Sequence, residues 1–587
     1  MSTSTAEFLT ISKAQPDSYA KEIAQLWNKF NTQRRGKIDE WKELRNYIFA
    51  TDTTTTSNST LPWKNKTTLP KLCQIRDNLH SNYVSALFPN DEWLTWEGYT
   101  TEDNLIETTE AIEGYMRNKT RVSHYRTEIS KCLYDYIDYG NSFATVDFEA
   151  SYIDNAFGDK VPKYIGPKSV RISPLDIVFN PMAASFEASW KVVRSIKTIG
   201  DLKKMAKESP DNAYLAEVLA RRDRINENMG GHTIEDNDKA EGFSLDGFGN
   251  MKEYYQSGFV EILEFWGDFN DQTNDELQQG RVITVVDRSV AIRNEPIPNW
   301  MGTAPISHAG WRFRSDNLWS MGPLDNLVGM QYRIDHLENL KADAMDISIH
   351  PPLKVIGEVE QFTWGPGVKI HIDEGGDVQE LGKNSQWVIA AENNIAVLEA
   401  RMEKYAGAPS EAMGIRTPGE KTAFEVGQLQ NASGRIFQEK TNNFEVNLLE
   451  PNLNFMLETA RRNMDTKDVI SIMDDDFGVA NFIKVDKAMI TATGKVRPIG
   501  ARHFAAQAQL VQNLSTLMAS PMAAQLAPHL SSIKLAKLLE DSLNIQRYGL
   551  FSPNIAVQEQ QATQQAATAA QDESAVQDEM GANGELG

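Results

Sequence analysis

The sequence predicts an α+β chain, mainly α. Long apolar stripes at intervals of three and four residues run through the first part of the chain and through Gly322 to Glu450. Short β-type runs concentrate at 143–180 and 259–300. Helices and strands alternate without a clear linker. The 587 residues, roughly three or four domains by length alone, therefore show no obvious cut before the tail.

In chain order, Ser18 to Ala50 is expected as one helix on Ile23, Leu26, Trp27, Phe30, Trp41, Leu44 and Ile48. The Thr/Ser-rich run Thr51 to Thr60 ends it. Leu72 to Phe88, Glu102 to Lys119 and Tyr125 to Tyr139 are the next helices. Between the two β-rich stretches lie helices at Ile199 to Lys207 and Asn212 to Arg224, then a polar, Gly-rich loop at 225–250.

Gly322-Pro323 opens the central helix, since proline suits a first helical turn and Asp325 suits its positive end. Leu327, Met330, Ile334, Leu337, Ala344 and Ile347 make one stripe. The other faces carry Asp325, Asp335, Glu338, Asp343 and Asp346 against only Arg333 and Lys341, so much of this helix is expected to be wet and acidic. His350-Pro351-Pro352 stops it. Leu353 to Trp387 reads as small strands, Leu353–Ile356 and Val368–Ile372, separated by Gly365-Pro366-Gly367 and Asp373 to Gly376. Helical spacing resumes at Val388 through Ile395, Leu398, Met402 and Tyr405, again with acids at Glu392, Glu399 and Glu403, and ends at Gly407-Ala408-Pro409.

Ser410 to Thr422 is a glycine-punctuated loop with Arg416 and Lys421 at its ends. A third helical pattern runs from Ala423 through Phe437, Phe444 and Leu448, with bends expected at Gly427, Gly434 and Pro451. Ile483 to Thr493 reads as a strand, and Arg502 to Met518 and Ser531 to Leu543 as helices. From Val557 the composition turns to Gln, Ala, Asp, Glu and Gly, as in a disordered or weakly helical tail.

A net charge of −22 disfavours a protein that grips nucleic-acid phosphates over a broad face. It is compatible with an acidic passage whose walls repel a duplex while a few basic groups make transient contacts. Two cysteines, Cys73 and Cys132, make no disulfide framework. No apolar run approaches a membrane span, and Met1 to Gln15 is polar rather than a signal peptide, so a soluble chain made in a cytoplasm is expected.

Chemical motifs are sparse. Gly414 to Thr422 nearly spells a phosphate-binding loop, but Glu420 stands where lysine should follow glycine, and no apolar strand precedes it. Asp476-Phe477-Gly478 lacks the companion motifs of a kinase. Asp474-Asp475-Asp476 reads as a solvated turn rather than a cation site, which needs six or more converging oxygens. The nine histidines form no ligand pair and no serine sits in a nucleophile elbow, so neither metal, cofactor nor catalysis is expected.

A helix, a compact insert, a returning helix, a basic loop and a long kinked helix, in that order, resemble the core of tailed-phage portal proteins, the head-to-tail connectors. Tyr139-Gly140-Asn141-Ser142 before Phe143 to Phe148, Ile172 to Ile177, and Val260 to Trp266 look like phrases of the portal wing. Pro351-Pro352 and Lys495 to Gly500 look like the versions found in short-tailed phages. The match spans roughly residues 20 to 550 and rests on the order of phrases, each short and degenerate alone.

The resemblance implies a portal fold with a wing at 1–322, stem helices at 323–349 and 388–407, and a clip at 350–387. A tunnel loop at 408–422, a long helix and wing return at 423–501, a crown at 502–556 and a tail at 557–587 complete it. It implies a homo-oligomer, a dodecameric ring at the capsid vertex of a virion. Double-stranded DNA would pass through it during packaging and ejection, driven by a separate ATPase. Large terminase and tail adaptor proteins would dock at the clip, and the major capsid protein and scaffolding protein are the other partners. Arg416 and Lys421 would reach the DNA backbone; solvated loop charges are the plainer reading. Asp335, Glu338, Asp343, Asp346, Glu392 and Glu399 would line the channel, against the plainer reading of a wet face. Phe362, Trp364 and Trp387 cluster around the insert, either as its small core, which is favoured, or as an interaction patch. Another ring-forming connector or adaptor, or a nucleotide-dependent packaging enzyme resting on the near phosphate loop, are the competing classes.

Overall fold

The structure is a computed structural model that describes residues 17–49, 56–60, 64–88, 93–100, 106–154, 160–208, 215–220, 258–271, 276–349, 353–357, 375–380, 386–407, 436–464, 467–474 and 479–499. The chain divides into two compact units, residues 1–500 and 501–587, and every described residue belongs to the first. The crown helices and tail expected after residue 501 lie outside the described residues, as do the loop at 225–250 and Asp476-Phe477-Gly478.

Helix and strand are mixed along the chain, as the sequence predicts. Helices α1 (Asp17–Gln33), α2 (Arg35–Phe49) and α3 (Lys71–Leu87) lead to strand β1 (Leu94–Gly98) and helices α4 (Ile106–Val122) and α5 (Tyr125–Asp138). Then follow β2 (Asn141–Asp154), β3 (Lys160–Ile172), β4 (Ile177–Phe179), β5 (Lys191–Thr198) and α6 (Ile199–Glu208). After them come β6 (Phe259–Asp271), β7 (Glu276–Val286), β8 (Val290–Pro296), β9 (Ile306–Gly310), β10 (Arg312–Arg314) and β11 (Asn317–Met321). The central region is α7 (Val328–Ile349), β12 (Leu353–Ile356), β13 (Asp377–Glu380) and α8 (Gln386–Ala406). Helix α9 (Glu450–Asn463) and strands β14 (Lys467–Asp474), β15 (Val479–Asp486) and β16 (Gly494–Pro498) close the described part.

The single helix expected at 18–50 is two helices. Their junction, Arg34, is buried and its guanidinium donates to the carbonyls of Pro174 at 2.6 Å, Leu175 at 2.6 Å and Ile177 at 2.7 Å. That long-range demand, beside the poor helix former Gly36, outweighs a continuous apolar stripe. Helix α1 then lays Tyr19, Ile23 and Trp27 on the antiparallel sheet β4-β5-β6-β7-β8, against Val192, Leu263, Phe265 and Ile283.

A second sheet, β3-β2-β9, starts at a tight corner. Gly140 has φ +69°, and a Cβ there would lie 2.2 Å from the backbone nitrogen of Gly322. Buried Asn141 holds this corner by donating to the Tyr139 and Ser320 carbonyls and accepting from Ser320 N–H at 2.9 Å. The phrase Ile172 to Ile177 folds as a turn that Ser173 caps, and Gly494–Pro498 pairs antiparallel with Leu94–Gly98.

The strand expected at Ile483–Thr493 ends at Asp486. Lys487–Ile490 is a helical turn that buries Ile490 in the main core, while β15 pairs upstream with β14 in register Lys467↔Asp486. The bend expected at Pro451 is a π-helical turn at Glu445–Leu449 just before it. Proline has no N–H to return to the carbonyl four residues back, and the widened turn absorbs that loss. Gly427 and Gly434 lie outside the described residues.

The largest core joins α3, α5, α7, α8 and α9. Leu72 and Leu79, Ile129 and Leu133, Ile334 and Leu337, Ile395 and Met402, and Leu453 and Met456 meet there. That shared core anchors one end of the α7–α8 pair.

Candidate functional site

Helices α7 and α8 return on each other across the β12–β13 hairpin, and this pair is the candidate site. A 3-10 turn at Asp325–Leu327 leads into α7, where Asp325 Oδ2 accepts from Gly322 N–H at 3.2 Å and from Lys37 Nζ at 2.9 Å. The 22 residues of α7 span about 33 Å. Strands β12 and β13 pair antiparallel from Leu353↔Glu380 to Ile356↔Asp377. The expected strand Leu353–Ile356 is therefore present, its partner is Asp377–Glu380, and Val368–Ile372 lies outside the described residues.

Apolar side chains divide the pair into two halves. Near the core, Leu327, Ile334, Leu337, Met402 and Ala406 are buried. Toward the hairpin, Met345, Ile347 and Ile349 of α7 and Trp387 and Ile389 of α8 are exposed, with Val355 and Ile356 on the hairpin. Ile349 is 65% exposed, Trp387 72% and Ile389 63%. Of the single apolar stripe expected from Leu327 to Ile347, the chain itself covers Leu327, Ile334 and Leu337 and leaves Ala344 and Ile347 exposed.

Charge ties the two helices together. Lys341 Nζ reaches Glu338 at 2.7 Å and Glu392 at 2.6 Å. Partial burial works against its charge, but the two carboxylates outweigh that and hold its pKa above the usual lysine range. Lys71, at the start of α3, pairs with Glu403 of α8 at 2.7 Å.

One face of α7 bears a polar ladder. Gln331, Asp335, Asn339 and Asp343 follow at steps of four, so they stack on one side of the helix. Each bonds the backbone of the segment 64–72, which runs alongside. Leu72 N–H donates to Gln331 Oε1 at 3.3 Å and Gln331 Nε2 to the Leu69 carbonyl at 2.6 Å. Leu69 N–H donates to Asp335 Oδ1 at 3.0 Å. Thr67 N–H donates to Asn339 Oδ1, and Asn339 Nδ2 returns to the Thr67 carbonyl, both at 2.8 Å. Lys64 and Asn65 N–H groups donate to Asp343, and Asn65 Nδ2 reaches Asp346 at 3.1 Å. Burial raises the Asp335 pKa to about 7, against the opposing bonds from Leu69 and Gln331, with Glu338 adding to the rise. For Asp343, slight burial is outweighed by the Asn65 and Lys64 donors, which hold its pKa below the usual range.

The expected channel-lining acids thus separate. Asp335 is 0% exposed and faces the chain's own segment, so it lines no open wall; a helical acid is wet only where nothing packs on it. Asp343 and Asp346 bond Asn65, Glu338 and Glu392 share Lys341, and Glu399 is half-buried. Trp387 is exposed, which removes it from any small core of the insert. Phe362, Trp364, Arg416 and Lys421, with the near phosphate loop, lie outside the described residues. Gln331 and Asn339 went unnoticed in the sequence, although their spacing with Asp335 and Asp343 was a readable signal. Cys73 and Cys132 are free thiols. Among the described residues no group of three His, Cys, Asp or Glu side chains is arranged to hold a metal, and no helix is long and apolar enough to cross a membrane. No protein-family model and no curated protein matches the chain.

Proposed function

We propose that the chain is the subunit of a ring-shaped portal vertex, through which a phage genome is packaged, retained and released. The observation that carries this reading is the uncovered apolar surface at the hairpin end of the α7–α8 pair, where Ile347, Ile349, Trp387 and Ile389 all stand exposed. An exposed apolar patch on a helix pair whose other half is anchored in a core calls for a partner surface. Copies of the same chain supply one, and a head-to-tail contact that closes on itself makes a ring without a leftover face.

In that ring α7 and α8 are the stem. The polar ladder to residues 64–72 fixes their direction, so that equivalent helices meet side by side. The β12–β13 hairpin itself, beyond that apolar patch, is the clip, where large terminase docks during packaging and tail adaptor proteins dock afterwards. Double-stranded DNA passes through the lumen, the major capsid protein and scaffolding protein surround the ring, and the virion vertex is its location. The role is mechanical, and we assign the chain no catalytic step.

Ile347→Glu and Ile389→Glu test it. Both positions are exposed, so folding of the single chain should change by no more than about 0.5 kcal/mol. Size-exclusion chromatography should show rings giving way to single chains; rings that survive both substitutions would sink the assignment of this surface.

A further inference from the structure

A cavity of about 220 Å³ opens between α1, α2, β4 and the β10–β11 hairpin. Four aromatic residues line it, Phe30 and Trp319 half-buried, Trp41 and Phe179 fully buried. Phe179 and Trp319 stack with centroids 4.6 Å apart, and Trp41 meets Trp319 edge-on at 5.7 Å. Its charge is one-sided: Arg34, Lys37 and Arg314 line it, and no carboxylate among the described residues does. In a chain of net charge −22, a concave site whose charged lining is cationic among the described residues favours an anion.

The three cations are not equivalent. Arg34 spends its donors on the Pro174, Leu175 and Ile177 carbonyls, which fixes it over the Trp319 ring at 5.4 Å. Lys37 is engaged by Glu40 at 2.8 Å and Asp325 at 2.9 Å. Arg314 is exposed at the rim on β10 and makes no ion pair among the described residues. A guanidinium in that state offers a fork matched to a carboxylate.

From this we infer that the cavity binds an aromatic acid, with its ring against the half-buried Phe30 and Trp319 and its carboxylate on Arg314. The volume suits a single aromatic side chain, and a lining that mixes apolar faces with a few polar groups is a usual form of such a site. The inference is independent of the ring reading. The same chemistry is carried by a free aromatic acid and by an aromatic residue at the carboxyl end of a protein chain.

Isothermal titration of the full chain with N-acetyl-tryptophan and with N-acetyl-tryptophanamide tests it, because the two differ only in the carboxylate. The acid should saturate the site and bind at least about tenfold more tightly than the amide, a difference of about 1.4 kcal/mol. Arg314→Gln, an exposed substitution that leaves the fold intact, should erase that preference. A short peptide ending in tryptophan separates the sources: tighter binding than the free acid points to a protein terminus, equal binding to a free acid, and both uphold the site. No saturation below about 10 mM, equal binding of acid and amide, or an unchanged preference in Arg314→Gln overturns it.

Discussion

Leu69 donates its backbone N–H to Asp335 Oδ1 across 3.0 Å, inside the chain, at the centre of a ladder that replaces a neighbouring strand with helix side chains. Burial makes that carboxylate prefer its proton, with a pKa of about 7 against the ordinary 3.8. The folded state therefore holds a proton that the unfolded state releases. Its contribution is fully present below about pH 4 and is lost as pH rises to about 7. Thermal unfolding followed from pH 4 to pH 8 should show stability falling across that window, by at most a few kcal/mol for this group. Asp335→Asn keeps the acceptor for Leu69 and removes the titration. An equally steep fall in that variant would show that Asp335 is not the responsible group.

Arg288 and Glu261 form a bidentate pair at 2.8 Å and 2.9 Å with both side chains 0% exposed. Arg288 sits at φ +55° in a buried turn beside Asp287 at φ +47°, and it also donates to Asn28 Oδ1 of α1 at 2.8 Å. Arg288→Ala leaves Glu261 charged and without its partner inside the protein, which should cost about 3–5 kcal/mol. Denaturant titration measures it; a loss under about 1 kcal/mol would mean that water reaches the site.

Two glycines should respond in opposite directions to alanine. At Gly140 a Cβ collides with the backbone of Gly322 and the left-handed φ penalises it, so Gly140→Ala should destabilise by more than about 2 kcal/mol. At Gly36, inside α2, a Cβ meets nothing within 4 Å, so Gly36→Ala should stabilise by up to about 1 kcal/mol. Melting temperatures of the two variants that move together would contradict this account of the corner and the helix.

The α7–hairpin–α8 order was legible because each piece carries a local signal: an apolar period, a Pro-Pro stop, a β-type run at Leu353–Ile356. What escaped was set by partners far away in sequence. Arg34 breaks its helix for carbonyls some 140 residues on, and no local pattern announces that. Asp335 and Asp343 look alike on a helical wheel, yet one is buried and the other is held at the surface by Asn65. Strand β14 and the β9–β11 strands were missed because they find their partners through register, which composition does not encode.

Strands β12 and β13 take their ladder bonds from each other. Replacing residues 353–386 by a short linker should therefore leave rings intact and abolish capture of the large terminase in a pull-down. Loss of the rings instead would show that the hairpin segment belongs to the subunit contact and not to the docking face.

The ring we propose closes through the α7–α8 helix pair. Native mass spectrometry of the purified chain, with electron microscopy of the same sample, measures that directly. One closed ring species with an axial channel, dodecameric by the resemblance to portal proteins, is expected; a chain that stays monomeric at every concentration tried would rule the ring out.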